Sequence, residues 1–170
     1  MEIRSVGQFL EYWDGNRART RTVVDCIPVD HLEWTHKPGR FTLGDQVRHL
    51  ATIERYMYGE TIAGRPSAYP GCGKELAHGM PAVLACLERL HLEFSQILTE
   101  LGDGSLTRKC LTPAGSPITV WKWLRAMVEH EAHHRGQIYL MLGILDVPTP
   151  PLFGLTSEEV RSLTNPTVLS

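Results

Sequence analysis

Apolar positions along the chain fall into four long stretches with helical spacing, separated by polar segments rich in proline and glycine. The first stretch predicts a helix from about Val6 to Ile27, carrying Phe9, Leu10, Trp13, Val23 and Val24 and stopping before Pro28. Thr42 precedes Asp45 by three residues, a relative of the capping box, and opens a second helix to about Ala63. Its apolar arc is Leu43, Val47, Leu50, Ile53 and Met57. A third helix starts near Met80 or Pro81, where proline suits a first turn, and runs to about Leu101 before Gly102. Its stripe is Val83, Leu87, Leu90, Phe94, Ile97 and Leu101. Thr119 is the expected N-cap of a fourth helix ending near Leu145, before the run DVPTPP.

A short terminal helix around Ser157 to Leu163 is expected to dock on the rest. Strand signals are thin. Only Leu111 to Val120 could hold a brief extended piece, and Pro113 and Pro117 argue against it. Four helices joined by loops long enough for a crossover predict an all-α fold, a four-helix bundle, as one domain over 1–170.

Composition narrows the partners. With 170 residues the chain can enclose a substantial core. A net charge of -2, with no basic block, excludes nucleic acid as an expected partner. No apolar run reaches the roughly 18 residues needed to span a bilayer. The stretch MEIRSVGQFLEYWDG lacks the apolar core of a signal peptide, so a cytoplasmic location is expected. Cys26, Cys72, Cys86 and Cys110 contain no C-x-x-C pair and are read as reduced thiols.

The chemistry concentrates in HEAHHRGQ, His130 to Gln137. A helix turns about 100° per residue, so faces can be counted. Val120, Trp123, Leu124, Met127, Ile138, Met141, Leu142 and Leu145 form one arc of the fourth helix; His134 lies within it and His130 at its edge. His133 projects to the other side, toward solvent or a partner subunit. His49 flanks the arc of the second helix beside Gln46, Ile53 and Tyr56. If the two helices are neighbours, His49, His130 and His134 supply three nitrogens and leave coordination positions open, the arrangement of a catalytic metal site. Imidazole suits several divalent ions, so the donor set does not choose among them. His31, His36, His78 and His91 carry no such pattern and are expected at the surface or in loops.

The same stretch spells H-E-x-x-H, the pattern of zinc proteases, in which Glu131 would be the general base. The longer metzincin pattern fails, because Gln137 and Leu140 stand where glycine and a third histidine belong. Glu158 or Glu159 would have to serve as the ligand of a gluzincin, and the chain offers no convincing strand to align a peptide. Glu131 falls near the middle of the inward arc, with Arg135 one turn later, and an i,i+4 ion pair between them is the structural alternative.

The motif H-x-x-x-H-R-G-Q ending a long helix, with L-G-D-x-x-x-H-L on an upstream one, resembles the DinB/YfiT-like superfamily of metalloenzymes. The resemblance extends over FTLGDQVRHL, HEAHHRGQIY and the tail PPLFGLTSEEV. It implies an up-down-down-up bundle, often dimeric, with a divalent ion on His49, His130 and His134. It also implies a small-molecule substrate, a zinc or nickel ion ahead of iron, manganese or copper, and possible use of a low-molecular-weight thiol. Thiol S-transfer is expected slightly ahead of hydrolysis, with Glu131, Arg135 and Gln137 as candidates to assist. The alternative is a non-enzymatic stress-response scaffold, a dimer making its contacts through Trp121 and the apolar tail around Leu152, Phe153 and Leu155.

Overall fold

The computed structural model describes residues 2–164, so Met1 and 165–170 of the expected domain lie outside the described residues. Helix α1 spans Val6–Val24, α3 spans Met80–Leu101, α4 spans Val120–Ile144 and a short α5 spans Ser157–Thr164. Helix α2 is composite: Leu43–Ile53 is α-helical, Glu54–Gly59 is a π-helical turn, and Glu60–Ile62 returns to α. The ends follow local chemistry. Thr42 and Asp45 close a reciprocal capping box at the start of α2. Gly102, with φ +65, takes the left-handed conformation that stops α3.

Contacts along the helices fix their directions. Gln46 meets His134 while Thr61 meets Trp123, so α2 and α4 are antiparallel. Glu54 meets His91, and a Cβ placed on Gly59 would touch Phe94 and Ile97, so α2 and α3 run in parallel. Phe9 and Arg125 border one cleft while Thr20 bonds Arg135, which makes α1 and α4 parallel too. The result is an up-down-down-up four-helix bundle, with the long link 63–79 making the crossover that parallel neighbours require. Two apolar clusters fill it. Val23, Val47, Leu50, Leu90, Ile138 and Leu142 pack at one end, and Trp13, Phe94, Leu98, Leu124 and Met127 at the other.

Four expectations about the fold change. Strands β1 (Lys109–Leu111) and β2 (Pro117–Thr119) form a small antiparallel hairpin despite its prolines. Pro117 opens its strand and Pro113 lies in the turn, positions where no ladder donor is lost. The first helix ends at Val24 rather than Ile27. On α2 the π turn rotates the inward arc, because its hydrogen bonds span an extra residue. Ile53 and Met57 are therefore only half-buried, while Glu54, Tyr58 and Thr61 turn inside. Finally, α5 has no buried residue, so the terminal helix is not docked; Val160 and Leu163 stay exposed.

Candidate metal centre

Helix α4 turns two sets of side chains in two directions. His130 and His134 face α2, whereas Glu131 and Arg135, one residue further round, face α1. The three Nε2 atoms of His49, His130 and His134 converge. His130 Nε2 lies 3.1 Å from His49 Nε2 and 3.1 Å from His134 Nε2. The three donor atoms all lie within 4.8 Å of one another. His49 and His134 are buried and His130 is half-buried. His133 is exposed, with its Nε2 3.0 Å from the Gln137 amide.

The outer nitrogens determine what the inner ones present. His134 Nδ1 sits 2.5 Å from Gln46 Oε1, an acceptor, so the proton belongs on Nδ1 and Nε2 carries a lone pair. The contact between His134 and His130 then needs a proton on His130 Nε2. That single proton would also have to serve the contact with His49, since two facing N–H groups would repel. No neutral tautomer therefore gives both contacts their own hydrogen bond, whereas a cation accepts all three lone pairs together. The donor set fits a divalent ion. Tyr69 Oη, 2.6 Å from His49 Nδ1, holds the third ring from the link 63–79.

Burial lowers the pKa of all three imidazoles, to about 4 for His49 and about 3 for His134, and neighbouring histidines add to the effect. They are neutral, hence ligand-competent, at neutral pH. In the unfolded chain each pKa returns to about 6.5. Metal-free protein is thus expected to keep its full stability above about pH 6.5. It should lose stability as the pH falls toward about 4 and then about 3. Thermal midpoints between pH 7 and about 4.5 check this. Wild type should fall faster on acidification than His49→Ala/His134→Ala, and equal slopes would refute it.

Glu131 is placed differently from both roles read for it. Its Oε2 is 3.1 Å from the Arg17 guanidinium on α1, and it does not pair with Arg135. Arg135 instead donates to Asn16 Oδ1 and Thr20 Oγ1. Arg17 also pairs with Glu54, which in turn accepts from Trp13 Nε1 at 2.5 Å and contacts His91 Nδ1 at 2.9 Å. Burial raises the Glu131 pKa, an effect that Arg17 only partly offsets. Burial opposes the ionised form of Glu54 too, but Arg17, His91 and Trp13 together hold that carboxyl below its usual range. His91 is accordingly no surface residue; it bridges Glu54 and the exposed Asp14. The protease alternative loses its base to Arg17. Its proposed ligands, Glu158 and Glu159, sit on the exposed α5, where Glu159 accepts from the backbone N–H of Thr156.

Sequence reasoning named the three histidines but missed two of their supports. Gln46 was visible as a neighbour of His49, without a role. Tyr69 lies in a link with no periodic signal, and nothing in its spacing points to His49. Gln137, the remaining candidate, lines a cleft of about 410 Å³ that begins at His134.

The family model for the DinB superfamily matches residues 12–138, a span containing all three histidines. Among solved structures, a DinB-like protein from Bacillus cereus ATCC 10987 superposes with a TM-score of 0.66 at 21% identity, covering 87% of this chain and 97% of that one. A DinB-like protein from Bacillus subtilis gives 0.67 at 18% identity, covering 85% and 96%. YfiT from Bacillus subtilis, described as a probable metal-dependent hydrolase with an unusual four-helix bundle topology, gives 0.65 at 20% identity, covering 84% and 89%. At these identities the likeness is one of fold. Among curated proteins no relative matches. With the family match running from α1 through most of α4, the chain belongs to the DinB superfamily.

Proposed function

We propose that this protein is a metal-dependent enzyme acting on a small molecule, with His49, His130 and His134 holding a divalent ion. The observation that carries the proposal is the convergence of three Nε2 atoms whose contacts no neutral tautomer satisfies. When bound, such an ion supplies Lewis acidity that lowers the pKa of a water or thiol beside it. Hydrolysis is the form we favour, because YfiT, which shares the fold, is described as a probable metal-dependent hydrolase. Transfer of a thiol to an electrophile is the second form. Zinc and nickel are the ions we place first, with iron, manganese and copper behind them.

The chain's own residues have distinct tasks. Gln46 orients His134 by accepting from its Nδ1–H, and Tyr69 holds His49. Phe41 covers the cleft side of the site, its ring centroid 5.4 Å from that of His49 and 6.4 Å from that of His134, and so limits water there. Gln137 stands beside His134 in the cleft, where its amide can hydrogen-bond a substrate. Glu131 and Arg135 act away from the site, holding α4 against α1.

Cobalt-substituted protein tests the proposal. Azide or a small thiol should change its visible spectrum by entering an open position, and the zinc- or nickel-loaded protein should turn over test esters or amides. Bacillithiol, mycothiol and glutathione, each offered with an electrophile, form the second arm. Turnover only in that arm would replace hydrolysis by transfer. A saturated ion with no turnover in either arm would overturn the enzyme reading and favour a structural metal.

A further inference from the structure

The cleft beside His134 has a composition that the metal chemistry does not explain. Along α4, His134, Gln137, Met141 and Ile144 recur at steps of three and four residues, so they form one stripe. At 1.5 Å per residue the stripe runs about 15 Å from the histidine cluster toward the end of the helix. Leu140 joins it at its margin. The opposite wall is the loop carrying Phe41, whose ring is nearly parallel to that of His134, at an interplanar angle of 19°. Gln46, the partner of His134, lines the inner end, and Arg40 and His36 stand in the loop wall.

Two of these apolar residues are where folding alone would not place them. Leu140 is 67% exposed and Ile144 53%, although Ile138, Met141 and Leu142, their apolar neighbours on the same helix, are buried. Met141, between them, packs into the core. The exposed pair therefore widens the apolar surface of the cleft instead of the core. A volume of about 410 Å³ falls within the range of small-molecule sites, roughly 300–1,000 Å³. No carboxylate lines the cleft among the described residues.

Resting on the metal-dependent reading above, we infer that the cleft binds the apolar body of the substrate, an aliphatic or aryl group attached directly to the reacting centre at the histidines. The substrate class is thus an apolar acyl or aryl compound rather than a sugar, peptide or nucleotide. The reacting end sits at His134 and Gln46, and the apolar end lies between Phe41 and the stripe of Leu140, Met141 and Ile144.

The test uses the full chain loaded with cobalt, titrated with acetohydroxamate and with octanohydroxamate while the visible spectrum is followed. Both probes carry the same metal-binding head and differ in the chain that the cleft would hold. Octanohydroxamate is expected to bind at least about tenfold more tightly, the effect of burying about two methylene groups. Leu140→Gln and Ile144→Gln, at exposed positions that folding does not depend on, should each reduce that ratio. Leu92→Gln, at an exposed position on α3, should not. Equal affinities, or a ratio indifferent to Leu140 and Ile144, would overturn the inference and leave the metal site standing. Failure to bind cobalt, or no response to either hydroxamate, would overturn the underlying reading instead.

Discussion

Glu54→Ala is expected to destabilise the protein by roughly 3–5 kcal/mol, the usual cost of stranding one partner of a buried ion pair. For a chain of this size that corresponds to a fall of roughly 6–20 °C in the thermal midpoint. Glu54 is 1% exposed and is shared by three helices. It accepts from the Trp13 indole and pairs with Arg17 on α1, and it contacts His91 on α3. Its removal leaves the buried Arg17 guanidinium with Glu131 as its one carboxylate. An arginine cannot relieve that by losing its proton. The indole N–H and the inner nitrogen of His91 would also lose their acceptor. Glu54→Gln keeps an acceptor for Trp13 but not the charge, so an intermediate loss is expected. Asp14→Asn, at the exposed end of the same chain of contacts, should cost far less. Thermal unfolding of the three variants decides the matter, and a midpoint for Glu54→Ala within about 3 °C of wild type would contradict the argument.

That network also marks the boundary of what the sequence reveals. The four helices are legible because each carries an apolar stripe and ends at glycine, proline or a cap. Thr42 with Asp45, and Pro81 with Gly102, set their ends through local chemistry alone. The π turn at Glu54–Gly59 is not local. Its extra residue per turn is a cost that the α3 and α1 contacts of Glu54 repay, and those contacts come from residues 37 and 41 positions away. A glutamate beside an apolar arc reads as its polar edge until the partners on other helices are known. Glu131 and Arg135 misled for the same reason. Their i,i+4 spacing made a pair plausible, yet both found partners on α1. The hairpin was obscured by prolines whose positions matter more than their number. The histidines were legible because angle counting needs only one helix at a time, plus the assumption that α2 and α4 are neighbours. Tyr69 was not, since a residue in a crossover link can be placed only by the fold.

His130→Ala is expected to abolish stoichiometric metal binding while leaving the bundle folded. Its Nε2 is the common neighbour of the other two donors, at 3.1 Å from each, so its loss leaves two nitrogens where three converge. If a complete site is worth roughly 10–16 kcal/mol over four ligands, each nitrogen accounts for a loss on the order of 100-fold or more. His130 is half-buried, both its side-chain hydrogen-bonding contacts are to the other two histidines, and its one further ring neighbour is Tyr58 at 6.2 Å between centroids, so the core depends little on it. Gln46→Ala should weaken binding by roughly 10- to 100-fold, since it removes only the group that orients His134. His133→Ala should retain the ion, because that ring is exposed and bonded to Gln137. Metal-to-protein ratios after competition with a graded series of chelators would rank the four proteins, wild type and His133→Ala above Gln46→Ala, and Gln46→Ala above His130→Ala. Retention of a full equivalent by His130→Ala would remove it from the site and with it the three-nitrogen arrangement on which the chemistry rests.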